Sequence, residues 1–273
     1  MAIVNLTPDS FSDGGQHTSL SQVLRKAQSL LAQGADILDV GGESTRPGAL
    51  PVSLADELAR VLPFLKEALQ WQVPISIDTY KPEVMQAALD LGVDIVNDIW
   101  ALRQPGALEV VANHARCGVC LMHMHREPLT MQAQPLPGDA VQHVKIFLAE
   151  QLARVKESGV QSDRIVIDPG IGFGKSSDQN LSLLSRQHEL RSLGQPVLAG
   201  WSRKGTLGQL SAIDGLVPEA DLRVGASVSA ALIAVQQGAS VVRVHDVRDT
   251  VQALRIWQAV QGKMPSDAHA ESI

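Results

Sequence analysis

Gly34-Ala35-Asp36-Ile37-Leu38-Asp39-Val40 is a junction whose pattern returns twice, as Gly92-Val93-Asp94-Ile95-Val96-Asn97-Asp98 and as Gly238-Ala239-Ser240-Val241-Val242-Arg243-Val244. Each time a glycine follows a stretch of helical period, a small and a polar residue come next, and an apolar run begins. A glycine just past a helix end supplies the left-handed cap that turns the chain back. A short, nearly continuous apolar run reads as a strand buried on both faces. Working outward from these junctions, the runs number eight: 2–5, 36–40, 74–78, 94–99, 118–123, 164–168, 196–200 and 240–244. Helical periodicity fills the intervals 19–33, 53–70, 82–91, 106–115, 139–158, 178–190, 219–237 and 246–260. In the first of them Leu20, Val23, Leu24, Ala27, Leu30 and Leu31 share one face. Eight strands, each followed by a helix, in 273 residues predict an α/β fold of the closed (β/α)8, or TIM, barrel type. The rival is a doubly wound open sheet, which needs no eighth strand and usually has a glycine fingerprint after its first. Here the first strand runs instead into Thr7-Pro8-Asp9-Ser10-Phe11-Ser12-Asp13-Gly14-Gly15. One barrel domain is expected over 1–262, with a frayed tail at 263–273.

Composition narrows the class. The chain is 45% hydrophobic and 19% charged, ordinary for a soluble globular protein. Lys plus Arg is 23 against 29 for Asp plus Glu, a balance of −6 that argues against nucleic acid or a membrane surface as partner. No apolar run reaches the length of about 20 residues that a spanning helix needs. Met1-Ala2-Ile3-Val4-Asn5 lacks the charged and apolar regions of a signal peptide. Two cysteines are too few to staple the fold, so a reducing compartment, the cytoplasm, is expected.

In a barrel the chemistry lies at the carboxyl ends of the strands. Polar residues gather there: Asn5; Asp39, with Glu43-Ser44-Thr45-Arg46 beyond it; Asp78; Asn97 and Asp98; His123; Asp168; Ser202-Arg203-Lys204; Arg243 and His245. Loops are polar anyway. Yet a carboxylate closing an apolar strand is costly in a dry site unless a ligand or a cation meets it. Three glycine loops accompany these residues: 41–48, 168–175, where Phe173 offers a stacking wall, and 200–205, which delivers two cations. Gathered positive charge on a net-negative protein points to a phosphorylated or otherwise anionic substrate. Cys117-Gly118-Val119-Cys120 has redox or zinc spacing but no second pair, and is read as structural. His123 and His125 would share a face of an extended chain, but no third ligand lies near, and a catalytic transition metal is set aside.

These segments resemble the dihydropteroate synthase family of pterin-binding barrels. The matching stretches are 3–15, 39–48, Ser76-Ile77-Asp78-Thr79, Val96-Asn97-Asp98-Ile99, Leu121-Met122-His123-Met124, 168–175, Ser202-Arg203-Lys204 and Arg243-Val244-His245-Asp246, spanning nearly the whole chain in order. The resemblance implies a transferase of folate biosynthesis in which 4-aminobenzoate displaces pyrophosphate from 6-hydroxymethyl-7,8-dihydropterin diphosphate. It implies that Asp168 grips the pterin edge, with Asp78, Asn97, Met122 and Lys204 around the ring. Asn5, Thr45, Arg46, Arg243 and His245 would hold the pyrophosphate, and magnesium would bridge Asn5 and the leaving group. Asp13 would stabilise a pterin cation, and Arg46 and Lys204 complete the catalytic set. Phe11, Pro47, Phe173 and Ser202 would line the aminobenzoate pocket, where sulfonamides compete; a homodimer is expected. A related barrel methyltransferase shares the Asp and Asn contacts but does not need the Ser-Arg-Lys and Arg-x-His set. A silent pterin-binding scaffold would have lost Asp13, Arg46 or Lys204. Three departures stand out. Gly205 occupies a position usually held by Ser. The fifth loop reads Met124-His125-Arg126-Glu127-Pro128, where Gln-Gly is common after the Met. The chain also opens inside the first strand, which is expected to seal the barrel floor less well.

Overall fold

The computed structural model describes residues 1–6, 16–44, 48–126 and 136–262. Strands and helices alternate along it as β1 (Ala2–Asn5), α1 (Gln16–Ala32), β2 (Leu38–Gly41), α2 (Leu54–Ala68), β3 (Ile75–Asp78), α3 (Pro82–Leu91), β4 (Ile95–Asp98), α4 (Ala107–Asn113), β5 (Gly118–Met122) and α5 (Ala140–Glu157). The second half continues as β6 (Ile165–Asp168), α6 (Ser177–Ser185), β7 (Leu198–Ala199), α7 (Gly205–Leu210), α8 (Val224–Gln236), β8 (Val241–Val242) and α9 (Val247–Val260). Each predicted strand and helix is present. The short α7 is an addition that periodicity did not indicate.

β1 to β6 pair in parallel in chain order, and β7 pairs with β8. Single parallel bridges, Ile167 with Val197 and Ala2 with Val244, join the two arcs. Ile167 N donates to Pro196 O at 3.0 Å, and Ile3 N donates to Val244 O at 3.0 Å. The ring is thus closed. β7 and β8 are shorter than the runs 196–200 and 240–244 suggested, because their flanks join β6 and β1 through isolated bridges.

The junction glycines behave as caps: Gly34, Gly92 and Gly238 stand at φ +101°, +109° and +94°. The main core lies outside the ring. Val40, Ile75, Ile77, Val96, Leu121 and Ile167 point outward against Phe64, Leu65, Met85 and Leu148 of the helices. Side chains alternate along each strand, so the next residues face the barrel interior. Those mix polar and apolar groups: Asp39, Ser76, Asn97 and Asp168 are buried there, with Ile3, Cys120 and Met122 among them. The strands are covered on both faces as expected, and the inner face carries polar residues that the outer face lacks.

Candidate active site

The carboxyl ends of the strands surround a cavity of about 1240 Å³. It is lined by Asn5, Asp78, Asn97, Met122, Asp168, Phe173, Ser202, Lys204, Arg243 and His245. These ten residues named from the sequence therefore reach one cavity, whereas the strand-end Asp39, Asp98 and His123 do not line it. Phe11, Asp13, Thr45, Arg46 and Pro47 lie outside the described residues, as does the tail 263–273.

The floor is built on Arg243. Its Nε donates to Asp39 Oδ2 and its Nη2 to Asp78 Oδ2, each at 2.5 Å. Asn97 Nδ2 donates to Asp39 Oδ2 at 3.2 Å. Burial alone would lower the pKa of Arg243, but Asp39 and Asp78 outweigh it and hold the guanidinium above its ordinary value. Asp78 Oδ1 is buried and has no hydrogen-bond partner. Burial pushes the Asp78 carboxyl up to about 7, Arg243 opposing and Asp39 adding to the rise. Opposite, Asp168 Oδ1 accepts from Gly170 N at 2.7 Å. Burial also raises the Asp168 pKa, against the Gly170 bond and the charges of Lys204 and Arg243. Gly170 has φ +67°, and a Cβ there would meet His123 O at 1.9 Å, so this approach of the two loops requires glycine.

The wall combines apolar and cationic groups. Met122, Ile99, Met124 and Phe173 form a small apolar cluster with Tyr80 and Trp100 packed on it. Lys204 Nζ sits 4.4 Å from the centroid of the Phe173 ring, a cation–π contact. Ser202 Oγ lies 2.9 Å from His245 Nδ1 and accepts from His245 N at 3.1 Å. The loop after β7 brings both Arg203 and Lys204 to the cavity lining, but Arg203 is paired. Arg203 Nε and Nη2 close on Asp246 at 3.1 and 2.5 Å, and the residue is held at φ +62° by bonds from its N to Ser227 Oγ and from Arg223 to its carbonyl. Asp98 turns outward, accepting from Trp100 N at 2.8 Å and Leu102 N at 2.7 Å, and shapes the β4 loop.

Cys117 and Cys120 are free and buried. His123 lies edge-on to Phe147 of α5, 4.9 Å between centroids, and burial with Lys175 nearby pulls its pKa down to about 2. No group of three metal-ligating side chains occurs among the described residues.

Sequence reasoning passed over the network beside the β2 loop. Lys81 forms ion pairs with Glu43 and Glu57; Tyr80 donates to Glu43 and Thr79 to Glu57. One signal was there to be read. Glu57 is an acid on the buried stripe of α2 that continues with Val61, Phe64, Leu65 and Ala68.

A closed barrel whose rim gathers carboxylates, with cations at the ends of β7 and β8, is the architecture of a small-molecule enzyme of the α/β-barrel class. A family model described as pterin binding enzyme matches residues 1–245. Dihydropteroate synthase of Escherichia coli K12 is 45% identical over 260 residues, covering 95% of this chain and 90% of that protein. Among solved structures, Xanthomonas albilineans dihydropteroate synthase with 4-aminobenzoic acid superposes with a TM-score of 0.88 at 47% identity, covering 96% and 92% of the two chains. The Yersinia pestis dihydropteroate synthase with a sulfonamide drug gives 0.88 at 42% identity, covering 96% and 94%. The chain belongs to the dihydropteroate synthase family of pterin-binding enzymes.

Proposed function

We propose that this protein condenses 4-aminobenzoate with 6-hydroxymethyl-7,8-dihydropterin diphosphate, giving 7,8-dihydropteroate and pyrophosphate in folate biosynthesis. The observation that carries the reading is that Asp168 and Arg243 line one cavity. A grip for the heterocycle thus lies beside cations able to draw off an anionic tail.

A pterin edge presents an amino group and a ring N–H side by side, and a carboxylate accepts both in parallel. Asp168 does this, and Asp78 and Asn97 read the other ring positions. The unpartnered Asp78 Oδ1 gains a donor when the ring arrives. Met122 and Phe173 pack against the ring, and Lys204 meets its carbonyl side. Arg243, His245 and Asn5, with Thr45 and Arg46, hold the diphosphate. Its stabilisation lets the C–O bond break early, the pyrophosphate leaving with the bonding pair. The resulting cation is conjugated with the ring and steadied by Asp13. The aminobenzoate nitrogen then forms the C–N bond and loses a proton. This SN1-like course relies on preorganised charge rather than a covalent enzyme intermediate.

Magnesium fits the donor set, since it binds through substrate phosphates and only one or two protein oxygens. Asn5 offers an amide oxygen at the cavity edge. Bound with the diphosphate, the ion would neutralise part of the leaving group's charge. Phe11, Pro47, Phe173 and Ser202 form the aminobenzoate pocket, in which sulfonamides compete. A homodimer is supported by exposed apolar residues: α8 carries no charged residue, and Ile233, Ile256 and Val260 are 41%, 69% and 78% exposed. Among the described residues no helix is long and apolar enough to cross a membrane, and a cytoplasmic location is proposed.

The test is pyrophosphate release. It is expected to require both substrates, and release from the pterin diphosphate alone, or none at all, overturns the reaction.

A further inference from the structure

We propose that Lys175 is a positioning residue whose buried ammonium group fixes the glycine loop after β6, and through it the grip of Asp168 on the heterocycle. The proposal deepens the reading above and rests on it for the identity of the ligand.

Lys175 is 3% exposed. Long charged side chains are almost never buried so completely unless their donors are matched. Here the match is main chain: Nζ donates to Gly170 O at 2.7 Å, Phe173 O at 3.1 Å and His123 O at 3.3 Å. An ammonium has three donors, so the three carbonyls use them all. Burial pulls the Lys175 pKa down to about 7, while Asp168 acts in the opposite sense.

Each of the three carbonyls belongs to a residue tied to the ligand cavity. Gly170 gives its N–H to Asp168 Oδ1. Phe173 presents its ring to Lys204. His123 donates its own N–H to Asp168 O at 3.0 Å, tying the end of β5 to the end of β6. One side chain therefore sets the carboxylate that reads the heterocycle and the ring that seats the cation. The rest of the loop has separate anchors: Gly172 N donates to Asn180 Oδ1 at 2.9 Å, and Leu136 N donates to Gly174 O at 3.0 Å. Losing Lys175 thus releases the Gly170 end while α6 and its capping box keep the other end in place.

The experiment compares the full-length wild type with Lys175→Met and Lys175→Gln, the latter keeping an amide donor. It reads the Kd of 6-hydroxymethylpterin by calorimetry, the KM and kcat of the pterin diphosphate, and the Tm. The expected result is a rise of about tenfold or more in Kd and KM for Lys175→Met, with a smaller rise for Lys175→Gln and kcat changed far less than KM. Kd and KM equal to wild type in either folded variant, whatever the change in Tm, would make Lys175 merely structural and overturn the proposal. If Lys175→Met does not fold, Lys175→Gln is decisive on the same terms. A wild type that binds the pterin but releases no pyrophosphate would sink the proposed reaction, and the Kd comparison would still judge Lys175.

Discussion

Two clusters of the same make-up, two carboxylates around one cation, stand side by side at the ends of β2 and β3. Inside the ring Asp39 and Asp78 flank Arg243; beside the β2 loop Glu43 and Glu57 flank Lys81. The outer cluster is complete. Tyr80 donates to Glu43 Oε1 at 2.9 Å, Val52 N and Lys81 to Oε2, Thr79 to Glu57 Oε1 at 2.7 Å, and Lys81 to Glu57 Oε2 at 2.5 Å. Burial works against the Lys81 charge, yet Glu43 and Glu57 hold its pKa above the ordinary value. The inner cluster is incomplete, with Asp78 Oδ1 buried and unmatched at the cavity. A complete network holds shape, whereas an incomplete one keeps a position open for a ligand.

Breaking each cluster separates the two roles. Lys81→Met leaves two carboxylates facing each other out of water. It is expected to destabilise the fold by about 3 kcal/mol or more, because the uncompensated charges are buried. Denaturant unfolding measures the loss, and pterin affinity per folded molecule should hold within severalfold. Asp78→Asn should do the reverse, lowering pterin affinity by about tenfold or more with little change in Tm. Calorimetry and a melting curve decide it, and a large Tm loss with unchanged affinity would erase the contrast.

The titration of Asp78 sharpens the contrast further. Its folded pKa, raised to about 7 from the ordinary 3.8, means the fold keeps a proton that the unfolded chain has released. This group therefore destabilises the fold progressively as pH rises from about 4 to about 7, and the penalty stays constant above that. The ionised form is the better acceptor, so pterin affinity should increase as pH rises through about 7. Both slopes should flatten in Asp78→Asn.

The smallest effect is reserved for Gly205, which belongs to neither cluster. A Cβ there would meet nothing within 4 Å, so Gly205→Ser fits without strain. It should change sulfonamide or 4-aminobenzoate affinity by a few-fold at most, with turnover retained; equal affinities for sulfamethoxazole in the two proteins would remove Gly205 from the pocket.

The barrel could be read from the chain because its signals are local. The glycine at each helix end and the apolar run after it occupy a few consecutive residues, and Gly34, Gly92 and Gly238 all adopt the positive φ that this reading requires. α7 escaped because six residues containing two glycines show no period. The strand-end polar residues were legible as a group, but their directions were not. Arg203 and Lys204 are neighbours of like charge, and only the fold shows that Arg203 is paired, with Asp246 43 residues away. The Lys81 network hid for a similar reason, its carboxylates lying 24 and 38 residues away in sequence. Lys175 drew no reading of its own from the sequence, and its burial against three carbonyls is visible only in the fold.

The way the ring closes also bears on how it releases what it holds. β1 to β6 form a continuous ladder, whereas β7 and β8 are two residues each and reach their neighbours by single bridges. Fewer shared main-chain bonds mean a lower free energy of local opening. Amides of the β7–β8 arc should accordingly exchange with deuterium sooner than those of β3 and β5. Ser202, Lys204, Arg243 and His245 ride on that softer quarter of the ring, while Asp78, Asn97 and Asp168 stand on the stiffer remainder. On the proposed reaction, the ring would be held by the stiffer strands and the charged product would leave past the softer ones.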